Sequence, residues 1–266
     1  MTFLTFEVSM PVVSIIMPAY NVEDFIALSI DSVIEQSFTD WELIIVNDCS
    51  SDATAEVVAK YLEDKRIKLI NNQVNMGGAG SRNIAIEAAK GRYLAFLDSD
   101  DLWTSDKLDK QISFMQQNNI GFSFAGYSTI NEKSDLLDKI EVPSRVNFSK
   151  LLKHNYVGCL TAIYDTLPFG KIYMPAVKKR QDFALWLELL KRFEFAYGLN
   201  INLGYYRIRA GSLSASKKDA LKYYWRVLRK VGGCNLLSAC YNIACYLFIV
   251  MLKKKHVALY NRIFIS

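Results

Sequence analysis

The feature that most constrains this chain is an alternation repeated along its first hundred residues. Val12 to Met17 ("VVSIIM"), Leu43 to Val46 ("LIIV"), Ile67 to Ile70 ("IKLI") and Tyr93 to Leu97 ("YLAFL") are short, mostly β-branched or aromatic runs ended by polar residues, which predicts strands. Helical patterns lie between them. Glu23 to Ser37 puts Ile26, Ile30, Val33 and Ile34 on one face, Asp52 to Leu62 follows the capping-type "SSDAT", and Gly80 to Lys90 is Ala-rich with Ile84, Ala85 and Ala88. Strand and helix recur about every 25 residues, so the strands are expected to be parallel and joined by right-handed crossovers, an α/β fold.

In such a sheet ligands bind beyond the carboxyl ends of the strands. The residues that end each predicted strand are therefore candidates as a group: Pro18, Ala19 and Tyr20, then Asn47 and Asp48, then Asn71 and Asn72, then Asp98 to Asp100. After Ile120 the pattern loosens to a strand at Gly121 to Ser128, a polar loop at Asn131 to Ser144, a helix at Gln181 to Phe193 and a short strand at Tyr205 to Ile208. A length of 266 residues at 51% hydrophobic content suits one large domain, residues 1–215, followed by a tail, 216–266. Within the domain, a nucleotide half is expected at about 10–105 and an acceptor half at about 106–215.

The fourth predicted strand runs straight into three carboxylates in "LAFLDSDDLW". Like charges this close repel by about 1 kcal/mol per pair at 4 Å even in water, and more in a drier cleft. In an extended stretch Asp98 and Asp100 share a face and Ser99 takes the other. Two carboxylates at a sheet edge form a partial oxygen shell for a hard divalent ion, Mg²⁺ or Mn²⁺, completed by water and a diphosphate. The plainer alternative is a polar turn that caps the next helix, with Asp101 as the cap.

Three spaced stretches in order, "VSIIMPAYNVEDFIALSIDSVIEQSFTDWELIIVNDCSSDAT", "NMGGAGSRNIAIEAAKGRYLAFLDSDDLW" and "KRQDFALWLELLK", resemble the family 2 glycosyltransferases of GT-A fold. The resemblance covers about the first 210 residues. It implies an inverting, metal-dependent transfer from a nucleotide sugar, UDP-linked by expectation, to a glycan or lipid-linked acceptor in surface-polysaccharide synthesis. It further implies that Pro18 to Asn21, with Tyr20, contact the nucleotide, that Asp48 accepts the uracil N3–H, and that Asp98, Ser99 and Asp100 serve the donor and its metal. By the same resemblance Arg82 closes over the nucleotide, Asp182 is the base, and Arg207, Arg209 and Ser212 reach the diphosphate. The family's usual acidic residue before the base is Gln181 here, leaving Asp182 as the sole carboxylate at that motif. Local readings stay open beside these: Asp48 as a turn residue, Asp182 as a helix cap, Trp186 as core or acceptor floor, and His154 as a structural residue or a neighbour of the acceptor. "NMGGAGSRN" carries neither G-x-G-x-x-G nor a P-loop lysine.

Two rival functions follow from the same residues. A sugar-phosphate nucleotidyltransferase would carry a Gly-rich loop with a basic residue after the first strand, where this chain has "PAYNVED". A non-catalytic nucleotide- or glycan-binding module would not need Asp98, Asp100 and Asp182 together.

The formal charge of +5 is concentrated at one end: ten Lys/Arg stand against a single acidic residue between Lys217 and Ser266, leaving 22 basic and 26 acidic residues before it. Leu236 to Leu252 is a 17-residue apolar run with basic residues on both flanks. That favours a helix lying on an anionic membrane surface, ahead of a core helix, a contact between copies in a homo-oligomer, or a spanning segment. The basic residues do not alternate with aromatics along a groove, so nucleic acid is not the expected partner. Five scattered cysteines, two histidines and an N-terminus without the marks of a secretory signal point to a reducing cytoplasmic location at the inner face of the membrane, without a zinc site or disulfide framework.

Overall fold

A computed structural model describes residues 10–209 and 217–265. Ser212 and the boundary at 215/216 lie outside the described residues, as does most of the N-terminal stretch weighed as a signal. The first four strands are β1 (Val13–Ala19), β2 (Trp41–Asn47), β3 (Ile67–Asn71) and β4 (Tyr93–Phe96), with β1 pairing in parallel with both β2 and β4, and β2 with β3. The helices between them are α1 (Ile26–Ile34), α2 (Thr54–Ala59) and α3 (Gly77–Ala88). Strands covered on both faces have no solvent side, so β2 and β4 are buried at every position. Alternate residues feed two separate cores. Ile16, Ile44 and Phe96 face one, and Ile15, Leu43 and Ala95 the other.

The second half extends the same sheet. β5 (Leu102–Trp103), α4 (Lys107–Gln117), β6 (Phe122–Ile130), β7 (Leu136–Ile140), β8 (Arg145–Val146), α5 (Phe148–Lys153), β9 (Ile163–Asp165), α6 (Gln181–Leu190) and β10 (Ala196–Arg207) follow in order. The main path of the 10-stranded sheet is β3-β2-β1-β4-β9-β6-β10-β5, with β7 on β6 and β8 on β10. Two expectations are corrected here. The "polar loop" at 131–144 contains β7, a solvent-facing strand whose pattern Leu-Leu-Asp-Lys-Ile shows no buried face. The short strand at Tyr205 is the end of a 12-residue strand that begins at Ala196 and shifts register twice against β6.

Trp186 settles as core: it is fully buried, edge-on to Phe96 at 5.3 Å between ring centroids and 5.6 Å from Phe122. The tail, α7 (Lys217–Lys230), α8 (Leu236–Lys255) and α9 (Val257–Tyr260), packs on this region. Tyr224 stacks on Phe183 of α6 at 5.0 Å and its hydroxyl donates to the Leu152 carbonyl at 2.6 Å. Val227, Leu228, Val231 and Ala239 join the same core. All five cysteines are free thiols.

Candidate active site

The ends of β1, β2 and β4 converge, and that of β3 does not line the cavity they form. Pro18, Ala19, Tyr20, Asp48, Asp98, Ser99 and Asp100 line one cavity of about 870 Å³, together with Arg82, Asp182, Arg207 and Arg209. Asn47 and Asn71 do not join it; they bond to each other at 2.9 Å behind the strand ends.

Asp48 is 3% exposed and holds the start of α3. Its carboxylate accepts from the Met76 and Gly77 backbone N–H groups at 2.7 and 2.8 Å and from Asn72 Nδ2 at 2.8 Å. Gly77 adopts a φ of 71°, a left-handed conformation that glycine enters without the Cβ clash. The glycines of "NMGG" therefore serve helix entry rather than a phosphate loop, and α3 begins at Gly77, ahead of the expected Gly80. A carboxylate offers about four lone-pair positions, so three donors leave one unused.

The carboxylate cluster is not extended. Residues 98–101 form a turn closed by the Asp101 N–H donating to the Asp98 carbonyl at 3.0 Å, which is why Ser99 lines the same cavity as its neighbours instead of facing away. Each cavity-facing carboxylate has an arginine: Arg82 Nη2 pairs with Asp98 Oδ1, and Arg209 Nε lies 2.7 Å from Asp100 Oδ2. Burial and then repulsion from Asp98 push the Asp100 carboxyl above the usual range, with Arg209 opposing. Against the lowering effect of burial, Asp98 raises the pKa of Arg82.

Asp101 is neither helix cap nor ligand. It is 1% exposed, and its Oδ1 accepts from the Arg207 N–H at 2.8 Å, tying the turn to the end of β10. Arg207, expected at the diphosphate, lines the cavity but is 2% exposed, and its guanidinium is largely engaged by the fold, with Nη2 left without a hydrogen-bond partner. It donates to the carbonyls of Asp100 at 2.8 Å, Asn131 at 3.0 Å and Glu132 at 3.2 Å, and to Ser134 Oγ at 3.0 Å. Of the two arginines in "YYRIRAG", Arg209 is the one that forms an ion pair with the carboxylate pair, at Asp100.

Asp182 stands in the first turn of α6, lining the cavity. Burial pushes its pKa up, Arg82 and Arg180 pull it back, and Asp98 adds to the rise. It has no role as an N-cap, because that position is Arg180, in a left-handed conformation with φ 59°. Holding a non-glycine residue there costs about 1 kcal/mol or more. Arg180 is fixed by donating to the Ala220 carbonyl at 3.2 Å and by lying over the Tyr224 ring at 5.1 Å, so the tail braces the turn that presents Asp182. His154, Tyr156, Lys178, Lys253 and Tyr260 also line the cavity, and none but His154 was singled out by sequence reasoning. Lys253 carried a faint signal, being the first lysine after an apolar run.

A crevice at the carboxyl ends of parallel strands, a carboxylate pair after the fourth and a helix-borne aspartate in the same cavity make up the layout of a GT-A glycosyltransferase. The family model described as Glycosyl transferase family 2 matches residues 14–168, and the chain belongs to that family. TuaG of Bacillus subtilis, a glycosyltransferase assigned to teichuronic acid biosynthesis, is 43% identical over 231 residues, 86% of this chain and 92% of TuaG. WfgD of Escherichia coli, a UDP-Glc:α-D-GlcNAc-diphosphoundecaprenol β-1,3-glucosyltransferase, is 41% identical over 248 residues, 92% of this chain and 94% of WfgD. In fold the chain resembles TarS of S. aureus solved with UDP-GlcNAc, with a TM-score of 0.70 at 20% identity over 94% of this chain and 77% of that one. It also resembles the mannosyltransferase PcManGT of Pyrobaculum calidifontis solved with GDP-Man and Mn²⁺, with a TM-score of 0.66 at 15% identity over 96% and 79% of the two chains. The family match removes the nucleotidyltransferase reading.

Proposed function

We propose that this glycosyltransferase moves a sugar, with inversion at the anomeric carbon, from a UDP-sugar to a hydroxyl of a diphosphate-lipid-linked glycan during cell-surface polysaccharide synthesis. The observation that carries this reading is the placement of Asp48, the Asp98–Asp100 pair and Asp182 on one cavity. The open lone pair of Asp48 takes the uracil N3–H, with Pro18 and Tyr20 beside the nucleotide. The acceptor oxygen attacks the anomeric carbon and its proton passes to Asp182, while the bond from that carbon to the diphosphate breaks with its electrons on the departing phosphate oxygen. A carboxylate with a raised pKa is a stronger base than an exposed one, which suits Asp182 to this task.

Among the described residues no group of three or more His, Cys, Asp or Glu gathers to hold an ion by protein ligands alone. Asp98 and Asp100 nonetheless fit Mn²⁺ or Mg²⁺, being two hard oxygen donors that lack only the phosphate oxygens of the donor. When bound, such an ion offsets the charge that develops on the leaving diphosphate. Arg82 and Arg209 hold the pair in place meanwhile.

α8 supports a place at the cytoplasmic face of an anionic membrane. By length and composition it is the described helix that could cross a bilayer, with mean hydropathy 1.7 over its apolar window. It packs one stripe on the protein and leaves Leu237, Tyr241, Leu247, Phe248 and Met251 exposed beside Lys254 and Lys255, the pattern of an interfacial helix.

The test is a thermal-shift screen of nucleotide sugars with Mn²⁺, followed by transfer assays. A UDP-sugar is expected to raise the melting temperature, and Asp182→Asn to keep that shift while losing transfer. If no nucleotide sugar stabilises the protein with metal present, the donor reading fails.

A further inference from the structure

The cavity changes character along its length. Arg180 acts electrostatically on both Asp182 and His154, and Lys253 acts on His154, so these groups are neighbours on the cavity that also holds the carboxylate cluster. The wall of the same cavity also carries His154, Tyr156, Lys178, Lys253 and Tyr260, and one further carboxylate, Glu141, which is taken by Lys139 at 3.7 Å and by Asn261 Nδ2 at 3.0 Å.

Lys253 reaches this wall because of its place on α8. Ala239, Asn242, Tyr246, Ile249 and Lys253 follow at spacings of three and four, the face that α8 turns to the protein, whereas Lys254 and Lys255 are exposed. Its ammonium lies 5.6 Å from the centroid of the Tyr260 ring. Among the described residues it forms no ion pair, although Asp138 acts on it from a distance. His154 adds a second unanswered group. Its Nδ1 is buried without a hydrogen-bond partner, with Tyr156 edge-on at 4.8 Å and Tyr246 stacked at 6.1 Å. Burial pushes its pKa down to about 3, so the ring is neutral and one ring nitrogen carries a proton to donate. A partly buried cation with no ion pair among the described residues, beside a neutral imidazole with an unpartnered nitrogen, has hydrogen-bonding capacity that a phosphate oxygen can take.

We propose that this part of the cavity is a diphosphate subsite, in which Lys253 and His154 bind the diphosphate that joins the acceptor glycan to its lipid. It rests on the lipid-linked acceptor proposed above and says how that acceptor is held. The subsite places a charged group of fixed position beside Asp182, so the sugar attached to it presents its hydroxyl to the base. It also gives α8 and α9 a part in acceptor binding, through Lys253 on the inward stripe of α8.

Binding and turnover test it separately. Calorimetry without divalent metal uses farnesyl diphosphate and inorganic diphosphate as probes against wild type, Lys253→Met, Lys253→Arg and Asp100→Ala. Lys253→Met keeps the aliphatic stem and removes the charge. The farnesyl diphosphate Kd is expected to rise about tenfold or more in Lys253→Met, the scale of one charge-assisted hydrogen bond, to recover in Lys253→Arg and to stay unchanged in Asp100→Ala. In transfer assays Lys253→Met should raise KM for a short-prenyl diphosphate-linked N-acetylglucosamine while kcat holds, and should match wild type on an N-acetylglucosamine glycoside without diphosphate. An unchanged Kd in Lys253→Met, or a loss caused by Asp100→Ala, overturns the subsite. Lys253-dependent binding of inorganic diphosphate alone assigns it to the free anion and overturns the lipid-linked source. If Lys253-dependent binding of farnesyl diphosphate persists but no acceptor receives sugar, the acceptor reading fails and the anion site stands.

Discussion

The two ends of the cavity are built by different means. At the donor end Asp48, Asp98 and Asp100 follow directly from strands of one parallel sheet, and the last two are each matched by an arginine. At the other end the wall comes from the connection after α5, the segment before α6, and helices appended after the sheet is complete. Groups tied to buried strands have almost no freedom to move without disturbing the core, which suits a nucleotide that must be held in one way. Groups on appended helices can change while the sheet stays intact, which suits an acceptor that differs from one enzyme to the next.

Asp182 joins the two ends, and the largest effects are expected there. Removing a positioned general base costs about 10²–10⁴ in rate, so Asp182→Asn should lower kcat by that factor with UDP affinity unmoved. As the proposed base, Asp182 must be ionised, and burial raises its pKa, so kcat is expected to fall as pH drops through that raised value and the acid limb to disappear in the variant. A pH profile of UDP release settles both; an Asp182→Asn enzyme within a few-fold of wild type would falsify the assignment. Next in size is Asp100→Ala. Loss of one of two carboxylates for the ion should weaken UDP-sugar binding in Mn²⁺ by about 10–100-fold, the scale of a charged contact. Unchanged binding would show that the carboxylate pair does not hold the ion.

The same division decides what was legible in the sequence. β1, β2 and β4 are covered on both faces, so they appear as unbroken apolar runs, and the donor-end residues could be read off their ends. β7 shows no such run because it is solvent-facing, and β10 is broken by Asn200, Asn202 and two register shifts. The Asp101–Arg207 bond joins residues 106 apart in sequence, and no local pattern announces it. Arg207 and Arg209 look alike in "YYRIRAG", but β10 ends at Arg207, so strand alternation does not govern Arg209, whose Nε reaches Asp100 while Arg207 donates to the carbonyls of Asp100, Asn131 and Glu132. Lys253 was hidden for a related reason: its neighbours Lys254 and Lys255 give the same composition signal, and only the stripe of α8 separates them.

The pair of arginines gives a smaller, sharper contrast within the donor end. Arg207→Met leaves the carbonyls of Asp100, Asn131 and Glu132 without their guanidinium donor, while the backbone N–H bond to Asp101 is kept, and should destabilise the protein by about 2–4 kcal/mol, read as a lower urea midpoint. Arg209→Met should cost less than about 1 kcal/mol of stability, its pair with Asp100 being partly exposed, while weakening UDP binding several-fold. If the two variants exchange these effects, the structural and ligand-facing roles have been assigned the wrong way round.

The smallest expected effect lies outside the cavity, on the lysines that Lys253 is set apart from. Lys254 and Lys255 are exposed beside the apolar face of α8, and each basic residue near an anionic bilayer contributes about 1 kcal/mol. The double variant Lys254→Ser/Lys255→Ser should therefore lose about 30-fold in binding to phosphatidylglycerol vesicles, less at high salt, where screening already weakens the attraction. Transfer to a water-soluble acceptor should be unaffected, because neither side chain lines the cavity. Lys253→Met should do the reverse, keeping most vesicle binding and losing affinity for the diphosphate. If all three lysines behave alike in both assays, the inward stripe of α8 carries no separate role and the tail acts only as a basic membrane anchor.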